Sequence, residues 1–86
     1  MDPETLQTTL QGAFRRAFFT DDLQLTAATT SADIDGWDSL AHVRLLLEVE
    51  RTFGIRFQGS EGTRLKDAGV LSELIAAKLK AEGPHP

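Results

Sequence analysis

Three times along this chain an aspartate stands directly before a run in which apolar residues return every three or four positions. Asp2 precedes the run from Leu6 to Phe18, Asp38 the run from Leu40 to Phe53, and Asp67 the run from Ala68 to Leu79. An aspartate in that place accepts a hydrogen bond from the open N–H groups of a first turn, so each marks a helix start. Alternating apolar and polar runs, the mark of a half-buried strand, are absent. Three amphipathic helices in 86 residues can bury their apolar faces only against one another. The fold class is therefore all-α: a small bundle of three main helices plus one short helix, in a single domain over 1–86.

The first helix is expected over about 3–19. Asp2-Pro3-Glu4 supplies cap, first-turn proline and first-turn carboxylate. Leu6, Leu10, Ala13, Phe14, Ala17 and Phe18 form its apolar face. Gln7, Gln11, Arg15 and Arg16 fall on the other side, with the two arginines facing solvent, and Gly12 suggests a close approach by a neighbour. A long loop follows, rich in turn-forming side chains and pinned by Leu23, Leu25, Ile34 and Trp37. The second helix is expected over about 39–52, with Leu40, Val43, Leu46, Leu47, Glu50 and Phe53 on the inner face and Leu45 at its border. Ala41, Arg44, Glu48 and Arg51 then project outward, and Gly54 ends the helix. Ile55, Phe57 and Leu65 read as further anchors, with a short helical turn over about 60–64. The last helix spans about 68–81, buries Ala68, Leu71, Leu74, Ile75 and Leu79, and stops at Gly83-Pro84. The tail over 83–86 reads as disordered.

Within this frame one hydroxyl stands out. Ser39 occupies the first position of the second helix, directly after the Asp38 cap. Unpaired N–H groups and the positive end of the helix dipole favour an anion there, so a phosphate ester on Ser39 would sit in a favourable field.

Charge removes several function classes. The net charge is −4. Residues 1–35 carry two basic and six acidic groups, while 36–57 and 58–86 each balance. No basic patch is available for a nucleic-acid backbone. No apolar run approaches the ~20 residues of a membrane span, and the acidic N-terminus is unlike a signal peptide. A cytoplasmic protein is expected. With no cysteine, any thiol chemistry has to come from an attached cofactor.

Asp38-Ser39-Leu40 resembles the attachment motif of the acyl carrier and peptidyl carrier proteins. The likeness continues through Val43, Leu47 and Glu50 to Phe53-Gly54-Ile55, which begins fourteen residues after the serine, and into Leu65-Lys66-Asp67-Ala68 and Leu74-Ile75. It covers about residues 3–80. The resemblance implies that Ser39, flanked by Asp38 and Leu40, carries a 4′-phosphopantetheine arm, transferred from coenzyme A by a phosphopantetheinyl transferase. The arm's thiol would hold acyl or aminoacyl cargo as a thioester. The chain would have no catalysis of its own and would act as a monomer.

The resemblance also implies partners: a loading enzyme, either an adenylating ligase or an acyltransferase, and condensing or tailoring enzymes. These would read the second helix, at Ala41, Arg44, Leu47, Glu48 and Arg51, with Trp37 beside it. Carriers of bulk fatty acid synthesis resemble one another in a strongly acidic second helix. Here Arg44 and Arg51 stand at positions usually acidic, so the expected pathway is a dedicated one, such as secondary metabolism. A housekeeping carrier, an excised domain of a large synthase and an unmodified interaction domain of the same fold are the rival readings.

Two other constellations carry less. Asp38, Ser39 and His42 lie on one helical turn, where nucleophile, base and orienting acid do not assemble into a relay, and the second glycine of a nucleophile elbow is replaced by Ala41. His42 reads instead as a surface or partner-contacting residue. Asp33, Asp35 and Asp38 are spaced like a calcium loop, but Trp37 and Asp38 stand where that loop needs a ligand and a glycine. No metal is expected.

Overall fold

All three aspartates do the same local work in the computed structural model, which describes residues 1–63 and 65–82. Asp2 accepts from the Thr5 N–H at 2.8 Å, Asp38 from Ala41 at 2.8 Å and Asp67 from Val70 at 2.9 Å. The helices they open are α1 (Pro3–Ala17), α2 (Ser39–Phe53) and α3 (Ala68–Glu82). No strand occurs among the described residues. A single 3-10 turn, Ser31–Asp33, interrupts the long loop between α1 and α2. The expected turn near 60–64 is present as two hydrogen-bonded turns, Glu61 N–H to Gln58 O and Thr63 N–H to Ser60 O, rather than a helix. Residue 64 and the tail over 83–86, with the Gly83-Pro84 stop, lie outside the described residues.

α1 lies against both α2 and α3. Its Leu6, Leu10, Ala13, Phe14 and Ala17 are buried, facing Leu45, Val49 and Phe53 of α2 and Ala68, Leu71 and Ile75 of α3. Leu25 and Ile55 complete the core, and Leu23, Ile34, Trp37, Phe57 and Leu65 pack on its margin. α1 ends two residues earlier than expected. Phe18 caps it, Phe19 turns to φ +55°, and the Thr20 N–H closes back on Arg15 O at 3.0 Å.

The inner face of α2 is not the one its sequence suggested. The buried stripe is Ala41, Leu45, Val49 and Phe53, while Leu40, Val43 and Leu47 are exposed. Apolar residues occupy nearly the whole circumference of this helix, so periodicity leaves its rotation open. Contacts to α1 settle it. Arg44 Nε donates to Ala17 O at 3.0 Å, and Glu48 pairs with Arg16 at 3.1 Å. On the other flank Glu50 accepts the Phe57 N–H at 2.8 Å. Long polar side chains thus flank the buried i, i+4 ladder on both sides.

The polar side of α1 is likewise not simply solvated. Gln7 donates to Leu25 O and Gln11 accepts from the Leu25 N–H, each at 2.8 Å, and Arg15 donates to Leu23 O at 2.9 Å. Arg16, beyond its pairing with Glu48, donates to the Thr52 hydroxyl. The loop is held from its other side by α3, whose first N–H groups, Ala68 and Gly69, donate to Thr29 O and Ala27 O at 2.8 Å. The close approach expected at Gly12 is found elsewhere. A Cβ on Gly12 would meet only the Arg16 guanidinium, at 3.4 Å, whereas one on Gly69 would stand 2.9 Å from Ala27 O and one on Gly62 2.7 Å from Leu46 Cδ1.

Candidate functional site

Ser39 is the first residue of α2, and it is exposed. Asp38 before it has extended backbone, φ −105° and ψ −172°, which lets its carboxylate bend over the first turn to Ala41. The Asp38 carbonyl accepts from the His42 N–H at 2.9 Å, so the helix is hydrogen-bonded from its first turn. The N–H groups of Ser39 and Leu40 have no intrahelical acceptor at this end and are open to an anion on the serine.

The chain reaches Ser39 through a turn that only a permissive residue makes comfortably. Gly36 has φ +83°, and the Asp38 N–H donates to Gly36 O at 3.0 Å. Trp37 between them is turned into the bundle. Its ring lies 5.6 Å from Phe14 and 5.4 Å from Phe18, centroid to centroid. The His42 ring lies 5.9 Å from it, centroid to centroid, at 17° to its plane. Trp37 Nε1–H also donates to His42 Nδ1 at 3.0 Å. That nitrogen must therefore accept, which leaves the proton of the neutral ring on Nε2, donating to Gly62 O at 2.6 Å. A single imidazole thus joins the loop before Ser39, α2 and the 58–63 turn.

A groove of about 570 Å³ opens beside the serine, lined by Trp37, Asp38, Ser39, His42, Val43 and Leu65 together with Ser31 and Thr63. The turn on its far side is tied to α3 by Lys78, which contacts Glu61 at 2.6 Å and holds the Glu61 carboxyl below the usual carboxylate range.

Of the residues expected to meet partners, Leu47 and Arg51 are exposed on α2. Arg44 and Glu48 are half-buried and tied to the end of α1. Ala41 is buried at 1 % exposure and offers a partner no surface, a correction that follows from the rotation of α2. Trp37 is half-buried against the core. His42, expected on the surface, is held inside the Trp37–Gly62 tie. Periodicity missed Val43 and Phe19 as exposed residues. The signal available for Phe19 was the run Phe18-Phe19-Thr20, which ends a helix without a glycine.

The spacing that suggested calcium is used for backbone capping. Asp33 accepts from the Thr30 N–H at 2.9 Å while Asp38 caps α2. Among the described residues no cluster of His, Cys, Asp or Glu is arranged to hold a metal ion. Nor, among the described residues, is any helix long and apolar enough to cross a membrane.

No protein-family model and no curated protein sequence matches the chain. A solved structure does: the solution NMR structure of holo acyl carrier protein from Geobacter metallireducens, 38 % identical, with a TM-score of 0.81, over 93 % of this chain and 94 % of that one. This chain belongs to the acyl carrier protein family. The acyl carrier protein described here is accordingly a carrier rather than an enzyme, and Asp38, Ser39 and His42 share a helix start instead of a catalytic relay.

Proposed function

We propose that this acyl carrier protein holds 4′-phosphopantetheine on Ser39 and presents acyl or aminoacyl cargo to partner enzymes. The observation that carries the reading is an exposed hydroxyl at the first position of α2, directly behind the Asp38 cap. A phosphopantetheinyl transferase would attach the arm from coenzyme A by a phosphodiester to Ser39 Oγ. When bound, the arm supplies the thiol that a chain without cysteine lacks. The chain's own part is to hold Ser39 outward on a fixed helix start, to offer open N–H groups and the helix dipole to the phosphate, and to line the adjoining groove. Asp38 sets the register of that helix, and Leu40 stands exposed beside the attachment point.

The carrier serves a dedicated biosynthetic pathway in the cytoplasm, acting as a monomeric single domain. Its partners are a loading enzyme, an adenylating ligase or acyltransferase, followed by condensing or tailoring enzymes. Support comes from the outward side of α2, where Arg44 and Arg51 stand with Leu40, Val43 and Leu47 instead of a row of carboxylates. Repulsion between these arginines and a basic docking patch would disfavour enzymes of bulk fatty acid synthesis.

Intact-mass measurement after incubation with coenzyme A and a broad-specificity transferase tests the attachment. Wild type gains the mass of the arm and Ser39→Ala does not. A transferase that loads a control carrier but not this one overturns the reading in favour of an unmodified interaction domain. Turnover by housekeeping fatty acid synthase enzymes equal to that on their own carrier would refute the dedicated pathway.

A further inference from the structure

The end of α1 holds a residue in a conformation that suits it poorly. Phe19 has φ +55°, a left-handed backbone usually given to glycine after a helix cap. The turn itself is of that usual kind, closed by Thr20 N–H on Arg15 O. Yet the side chain placed there is a ring that is 80 % exposed, so burial does not offset the strain. The ring is presented rather than hidden. Arg44 reaches across from α2, its guanidinium carbon 5.1 Å from the Phe19 centroid and its Nε fixed on Ala17 O.

Arg44 belongs to an outward face that starts beside Ser39. Leu40, Val43 and Leu47 on that face are 71 %, 53 % and 53 % exposed. Single exposed apolar residues are ordinary, but these recur at helical spacing on one stripe. The stripe is flanked by positive charge. Arg16 and Arg51 both engage Glu48, at 3.1 and 3.5 Å, and Arg44 stands one helical turn before it, over Phe19, in a chain of net charge −4. The carboxylates next in sequence, Asp21 and Asp22, lie in the loop beyond Phe19, and Asp22 is taken up by the Thr20 hydroxyl at 2.6 Å.

An enzyme acting on a group tethered at Ser39 has to approach this end of α2. We propose that Phe19, Val43 and Leu47, with Arg44 and Arg51, form one docking face for an enzyme surface whose apolar pocket is rimmed by carboxylates. Phe19 and Leu47 fill the pocket, and the two arginines pair with the rim. An aromatic ring and arginines around an apolar centre have the composition of interface hot spots, and the charges select the partner by its sign. The inference rests on the carrier reading for the reason that any enzyme comes here, and extends it to the partner's chemistry.

The probe is an amphipathic helical peptide of leucine and glutamate, with its leucine–lysine counterpart as control. Both are titrated into the ¹⁵N-labelled full chain. The glutamate peptide is expected to move the amides of Phe19, Val43, Arg44, Leu47 and Arg51, and the lysine peptide to leave them unmoved. Arg44→Glu with Arg51→Glu should weaken the glutamate peptide by about tenfold and admit the lysine peptide. Phe19→Ala should weaken it by about threefold or more with the melting temperature held within a few degrees, because the ring is exposed. Equal response to both peptides, shifts centred elsewhere, or no binding at all overturns the docking face. Loading of Ser39 is followed by mass on the same sample, so failure of the face and failure of the carrier reading give different results.

Discussion

Replacing Asp38 with alanine removes the oxygen that the Ala41 N–H reaches at 2.8 Å. Loss of such a cap costs about 1 kcal/mol, and loss of the negative charge beside the helix dipole adds about 0.3–1 kcal/mol. In a domain of this size each 1 kcal/mol at the midpoint is about 4–8 °C, so Asp38→Ala should melt about 5–16 °C below wild type. Asp38→Asn keeps an acceptor oxygen and loses only the charge, so its drop should be smaller, about 1–8 °C. Thermal unfolding followed by far-UV circular dichroism measures both, with Asp2→Ala as the reference because α1 begins with the same geometry. Transferase loading, followed by intact mass, adds a second reading. If the carboxylate works by fixing the helix start, asparagine restores the loading that alanine slows. An alanine variant melting within about 1 °C of wild type would refute the cap. An asparagine variant as slow as alanine would show that loading needs the charge itself.

Rotation of α2 is tested by two leucines two residues apart. Leu45→Ala, at a site with no exposure, should lose about 2–5 kcal/mol in urea unfolding, whereas Leu47→Ala, half exposed, should stay within about 0.5 kcal/mol; the reverse order would restore the face expected from periodicity. Acid sensitivity follows from three depressed carboxyls: Asp2, held by the Thr5 N–H and hydroxyl; Asp22, by the Thr20 hydroxyl; and Glu61, by Lys78. Since each folded-state value lies below the unfolded one, their stabilisation is complete above the ordinary carboxylate range and is lost as pH falls through the folded values. The urea midpoint should therefore be level near about pH 7 and fall below about pH 4, and Glu61→Gln should fall less steeply there.

The three helix starts were legible because a cap is a local event. An aspartate and the N–H three residues later meet through backbone geometry alone, which is why Asp2, Asp38 and Asp67 were readable without a fold. Gly54 at the end of α2 was legible for the same reason, with φ +67°. The Asp38-Ser39-Leu40 motif is also contiguous, so its place at an open helix end could be derived before any packing was known. The anchors Leu25, Ile55 and Ala68 followed from hydrophobicity, since little else in those stretches can enter a core.

Alone, then, the sequence determined where each helix begins, that three of them share one core, and which hydroxyl stands at an exposed helix start. Tertiary structure decided which way α2 faces. That helix has apolar residues nearly all round, so its own periodicity does not choose a side; the packing of Leu45, Val49 and Phe53 with α1 and α3 does, and it brings Arg44 to Ala17 and Glu48 to Arg16 at sequence separations of 27 and 32 residues. Distance in sequence also hid the Trp37–His42–Gly62 tie and the contact of Arg44 with Phe19. Contacts of that kind depend on how helices are brought together, and they determine what lies beside Ser39: a groove on one side and, on the other, an apolar face flanked by arginines.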